Sequence, residues 1–125
     1  MKILLLEDEV RLARVVARNM AEHEFLHVVS VGGAIRTLAT HRDVDFIISD
    51  LFLERTTALG LHAWVQTHRP GLLERFLYIS GTVDFCLPLG YPPEVPLLQK
   101  PFYSDELRNA IIECFEQGVP SGLFS

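Results

Sequence analysis

No apolar stretch in these 125 residues approaches the roughly 20 needed to cross a bilayer, so a membrane-spanning helix is not expected. Met1-Lys2-Ile3-Leu4-Leu5-Leu6 resembles the start of a signal peptide, but the acids Glu7, Asp8 and Glu9 cut the run too short. A cytoplasmic location is therefore expected. Cysteine is scarce: Cys86 and Cys114 lie far apart, in no metal-binding or redox spacing, and both read as reduced thiols, Cys114 on an apolar helix stripe. Basic clusters are lacking too. A formal net charge of −5 and no stripe of Lys or Arg disfavour direct nucleic-acid binding, which needs phosphate neutralisation. Arg11, Arg14 and Arg18 come nearest, on one helical face that reads as solvated. There are no internal repeats or low-complexity tracts, and the length suits one domain with its own core.

What is present is an alternation of short apolar runs and helical patterns. Strands are expected at Lys2–Leu6, Phe25–Ser30, Asp45–Ser49, Phe76–Ser80 and Val95–Gln99. A first helix from Glu9 to about Glu22 carries Leu12, Val15, Val16 and Met20 at helical spacing. A second follows Gly32-Gly33 with Ile35, Leu38 and Ala39; a third carries Leu61, Trp64, Val65 and His68 and stops at Pro70-Gly71. Ser104 is the expected N-cap of the last helix, ahead of Asp105 and Glu106 and the stripe Leu107, Ala110, Ile111, Cys114 and Phe115. Right-handed crossovers then give a doubly wound parallel sheet with helices on both faces. Pro88, Gly90, Pro92, Pro93 and Pro96 break the pattern, so the crossover over 81–96 is expected to be largely loop. Residues 118–125 read as a loose tail.

Five polar residues sit at or just after the ends of apolar runs: Glu7, Asp8, Asp50, Ser80 and Lys100. In an open α/β sheet, groups at the carboxyl ends of the strands gather in one crevice. Two or three carboxylates a few ångströms apart repel one another unless a cation or protons intervene, and Mg²⁺ suits such oxygen donors. An Asp held there is also a nucleophile able to accept a phosphoryl group, with Lys100 and Ser80 to neutralise and position it. Taken singly, each residue also reads as a helix cap, turn or surface charge; it is their joint placement on four strands that points to chemistry.

Ile3-Leu4-Leu5-Leu6-Glu7-Asp8-Glu9, Phe46-Ile47-Ile48-Ser49-Asp50-Leu51, Tyr78-Ile79-Ser80-Gly81 and Gln99-Lys100-Pro101-Phe102 resemble, in order, the four signatures of the response-regulator receiver domain of two-component signalling. The resemblance spans residues 1–117, and the segment Val95 to Phe102 looks most like receivers attached to hybrid sensor histidine kinases. It implies a flavodoxin-like five-stranded sheet in the order 2-1-3-4-5. It also implies that Asp50 is the phosphoacceptor, fed by a phosphohistidine on a histidine kinase or histidine phosphotransfer protein. Asp8 would bind Mg²⁺ directly, Glu7 through water and Phe52 through its backbone carbonyl; Ser80 and Lys100 would contact the phosphoryl group. The Lys100–Pro101 bond would be cis.

Three departures stand out. Ala58 occupies the place eight residues after Asp50 where the family usually has Gly, and the first glycine is Gly60, so a longer loop is expected. Leu97 stands three residues before Lys100, where a switching aromatic is typical. The proline-rich stretch replaces most of the family's fourth helix, part of its output and dimerisation face, which leaves a homodimer open. Phosphorylation chemistry is thus expected intact and readout altered. The alternative is a degenerate receiver serving as a phosphorylation-independent interaction module; a haloacid-dehalogenase-type phosphatase ranks low because Phe52 stands where its second Asp would be. His23 and His27 are not expected to pair on a metal, and His41 is not expected to be a phosphohistidine. Trp64 reads as core and Tyr103 as surface.

Overall fold

The computed structural model describes residues 1–81 and 87–117; the expected tail at 118–125 and Cys86 lie outside them. Five strands, β1 (Lys2–Leu6), β2 (Glu24–Val28), β3 (Phe46–Asp50), β4 (Phe76–Ser80) and β5 (Leu97–Gln99), form one parallel sheet in the order β2-β1-β3-β4-β5. This is the expected flavodoxin-like, doubly wound arrangement. The helices are α1 (Val10–Asn19), α2 (Val31–Thr40), α3 (Leu59–His68) and α4 (Ser104–Gln117), with a short 3₁₀ turn at Pro70–Leu72.

Strand residues alternate between two cores because successive side chains point to opposite faces. Leu4, Leu6, Ile47, Phe76 and Tyr78 pack with Ala34 and Leu38 of α2 and Leu61 and Val65 of α3. Ile3, Leu5, Phe46, Ile48, Leu77 and Ile79 pack with Ala13, Val16 and Met20 on one side and Leu107, Ile111 and Cys114 on the other. Being covered on both faces, β3 and β4 are buried at every position.

Several boundaries differ from expectation for identifiable reasons. Helix α1 stops at Asn19 because Arg108 donates to the Asn19 carbonyl and to the Glu22 carboxylate, tying off the helix end against α4. In that helix Ala13 is buried while Val15 is exposed, and in α2 Ala34 is buried in place of Ala39. Strand β5 starts at Leu97, not Val95: the Val95 N–H is taken by the Pro92 carbonyl, and Pro96 has no N–H to offer. Ser104 is the first helical residue of α4, and the cap comes instead from Glu106, whose carboxylate accepts the Tyr103 N–H at 2.9 Å. Trp64 is half-buried against the core, stacked on His68 at 4.5 Å, and Tyr103 is exposed.

The described part of the β4–β5 crossover, residues 87–96, is loop with turns closed by Tyr91 N–H to Pro88 and Val95 N–H to Pro92. Tyr91 lays its ring on Tyr78 at 5.8 Å and donates its hydroxyl to the Val95 carbonyl at 2.6 Å, anchoring this loop to the sheet.

Tyr78 in turn donates its buried hydroxyl to the Ala58 carbonyl at 2.9 Å, pinning the end of the loop that follows β3. Burial pushes this phenol well above its usual pKa, so it stays a donor. Tyr78→Phe should cost about 0.5–1.5 kcal/mol by removing that hydrogen bond, the Ala58 carbonyl keeping the Leu61 N–H at 3.1 Å. In urea unfolding the midpoint should fall with an unchanged m value.

Candidate functional site

Strand register builds the site. Leu6 lies opposite Ser49, so Glu7 and Asp8 follow directly beside Asp50, the last residue of β3. Asp50 lies opposite Ile79 and Ser80 opposite Gln99, which carries the same level across to Ser80 and Lys100. The carboxylates of Glu7, Asp8 and Asp50 each offer an oxygen, all within 4.8 Å of one another. Glu7 is 1% and Asp50 2% exposed, whereas Asp8 faces solvent. Lys100 Nζ reaches Asp50 Oδ1 at 2.8 Å and Glu7 Oε2 at 3.3 Å. Its own backbone N–H donates to the Ser80 carbonyl at 2.9 Å, and the Lys100–Pro101 bond is cis. Ser80 is buried at the end of β4. Phe52 lies in the loop just past Asp50, held by an antiparallel bridge to Thr57.

Three carboxylates share one ammonium here, and the imbalance shows in the protonation equilibria. Burial, reinforced by Glu7 within hydrogen-bonding reach, pushes Asp50 up to about 8 despite the opposing pull of Lys100. Burial works against the Lys100 charge as well, but the adjoining Asp50 and Glu7 outweigh it and hold the ammonium above its usual value. The arrangement therefore has room for one more positive charge. Its donors are all hard oxygens, two of them buried and the third, on solvent-facing Asp8, oriented by the Glu54 N–H at 3.0 Å. That donor set fits a divalent cation such as Mg²⁺.

No family model matches the chain. Its sequence is 26% identical over 120 residues, 95% of this chain, to the transcriptional regulatory protein GlrR of Escherichia coli K12. Among solved structures, a response regulator receiver protein from Sinorhizobium medicae superposes with a TM-score of 0.75 at 21% identity, covering 93% of this chain and 94% of that one. The receiver domain of the hybrid histidine kinase CckA gives 0.73 at 21% identity, covering 91% and 98%. The chain has the receiver-domain fold. Its resemblance is to response-regulator receivers, and it spans 27% of the length of the curated relatives it matches.

Two contacts of this receiver fold were not foreseeable from residue type. His27 sits at the open edge of β2, yet its Nε2 lies 2.7 Å from the Glu7 carbonyl, which it can only approach as a donor. The Asp8–Glu54 contact likewise depends on how the loop after β3 folds back. A polar residue one strand over from the acidic pair was the only signal for the first. His23 faces the N-terminal amine, so His23 and His27 go to different partners. Arg11, Arg14 and Arg18 are exposed, and Cys114 is a buried free thiol.

The sign of the pH dependence follows from Asp50. Its folded pKa lies above its unfolded value, so the folded state holds the proton more tightly, and stability falls as pH rises from about 4 through about 8. Without divalent cations, Asp50→Asn should remove most of this slope. At pH 8 the variant should be more stable than the parent by about 1–4 kcal/mol in urea titrations, because a buried, poorly compensated charge is gone.

Proposed function

We propose that Asp50 accepts a phosphoryl group from a phosphohistidine on a histidine kinase or histidine phosphotransfer protein. The P–N bond to the imidazole breaks, a P–O bond to Asp50 forms, and the departing nitrogen keeps the electron pair. The observation that carries this reading is the buried Asp50 carboxylate paired to Lys100 at 2.8 Å beside two further acids. Lys100 holds Asp50 and would neutralise a phosphoryl oxygen, and Ser80 would donate its hydroxyl to another. Asp8, Asp50 and the Phe52 carbonyl would hold Mg²⁺, with Glu7 acting through water; when bound, the ion supplies charge neutralisation. Similarity to GlrR and to the CckA receiver supports a place in two-component signalling.

A second reading is an interaction module that works whether or not Asp50 is modified. It is favoured by the helix-free crossover among the described residues and by Leu97 in place of a switching aromatic.

Beryllofluoride with Mg²⁺ separates the two. The parent should show saturable, Mg²⁺-dependent amide shifts around Asp8, Asp50, Ser80 and Lys100, and Asp50→Asn should show none. Asp8→Asn should weaken Mg²⁺ binding by about tenfold or more. A parent that does not respond would leave the interaction module.

A further inference from the structure

Across the sheet edge between α3 and α4, away from the acidic site, His62, Leu73, Glu74, Glu94, Pro96 and Cys114 line a cleft of about 360 Å³. That volume is within the range of small-ligand pockets. His62 is 7% exposed, and its Nε2 is a buried polar atom with no hydrogen-bond partner among the described residues. The ring packs edge-on against Phe76 at 5.4 Å, which fixes its orientation on α3. Unpaired buried polar groups are uncommon in folded proteins because each forfeits its hydration, so this nitrogen in the wall of a cleft is a place where a bound water or ligand can supply the missing hydrogen bond.

The lining sets the chemistry of such a ligand. Burial lowers the His62 pKa against the opposing charge of Glu94, so the imidazole is neutral and one ring nitrogen is an acceptor. Glu74 and Glu94 add two carboxylates at the exposed rim, and Leu73, Pro96 and Cys114 supply an apolar floor. Burial and Glu113 push the Cys114 thiol up to about 11, so it contributes no charge. Arg75, next to Glu74 in the chain, lies over the Phe115 ring at 4.8 Å, and no cation among the described residues lines the cleft. A ligand must therefore bring several N–H donors, a positive charge and an aliphatic body. Guanidinium meets these needs better than ammonium because it is planar, weakly hydrated and carries five donors in a fixed fork.

We propose that the cleft between α3 and the 87–96 loop, walled by His62 and rimmed by Glu74 and Glu94, binds an alkylguanidinium group. Such a group reaches it either as a free small molecule or as an arginine side chain of a partner protein. The site is independent of Asp50 chemistry, so its fate and that of the proposed phosphoacceptor are separable.

The test is an NMR titration of the whole chain with butylguanidinium, with an end-blocked arginine peptide, and with neutral butylurea. Saturable shifts at His62, Leu73 and Cys114 with at least one cation, and none with butylurea, are the expected result. Stronger binding of butylguanidinium points to a free ligand, and stronger binding of the peptide to a protein-borne arginine. His62→Leu and the double variant Glu74→Gln/Glu94→Gln should each weaken binding at least tenfold. His62→Leu should also leave the melting temperature unchanged or raised, which a purely structural histidine would not do. Equal binding of butylurea, no saturation by millimolar cation, or shifts confined to Glu7, Asp8 and Asp50 would overturn the proposal.

Discussion

Leu6 lies opposite Ser49 in the central strand pair, and from that register the placement of Glu7 and Asp8 beside Asp50 follows. A slip of one residue would turn every side chain of a strand to the other face. Here both faces are buried, so any slip would expose one core and overfill the other. The neighbouring pairs carry the alignment outward, bringing Ser80 and then Lys100 to the same rim. Apolar packing that has no chemistry of its own thus holds three acids and an ammonium at fixed separations.

That enforced proximity is unfavourable by itself. Two buried carboxylates and an exposed one face a single ammonium, and the molecule responds by keeping a proton on the Glu7–Asp50 pair near neutrality. A protonated Asp50 is a poor nucleophile. On the proposal that Asp50 is a phosphoacceptor, positive charge arriving beside Asp8 would displace that proton and leave a carboxylate held by Lys100, which would couple cation binding to reactivity through charge. Catalytic sites commonly keep such imbalances because relieving them in the apo state would remove the affinity for what must bind.

On the flank where a further helix would be expected, the described crossover instead presents turns, the Tyr78–Tyr91 ring pair and a fully exposed Leu89 at the tip of the Pro88–Tyr91 turn. Gly90, at φ +89°, permits that turn. Tyr91 leans on Tyr78, and Tyr78 holds Ala58 at the start of α3, so the loop is mechanically connected to the segment behind Asp50. This differs from a ring rotating beside Ser80, because Tyr78 is fixed by its hydrogen bond to Ala58.

The fold class was legible in the sequence, because apolar runs such as Phe46-Ile47-Ile48 and the helical stripe of Leu107, Ile111 and Cys114 are local patterns with distinct periods, whereas the strand order came from the resemblance to receiver domains. The candidate cluster was legible too, since a polar residue at a strand end needs only the topology to place it. Element ends were not: α1 stops where Arg108, 89 residues away from Asn19, donates to its last turn, and α4 is capped by Glu106 rather than Ser104. Distances, the unequal burial of Asp8 and Asp50, the reach of His27 to the Glu7 carbonyl and the unpaired His62 also came only from the folded chain. The sequence by itself determined which residues are apolar, which are charged and with what period they recur, and that suffices for architecture. Tertiary structure decided which polar atoms lose water and which partner each one meets, because desolvation and hydrogen bonding depend on neighbours far apart in the chain.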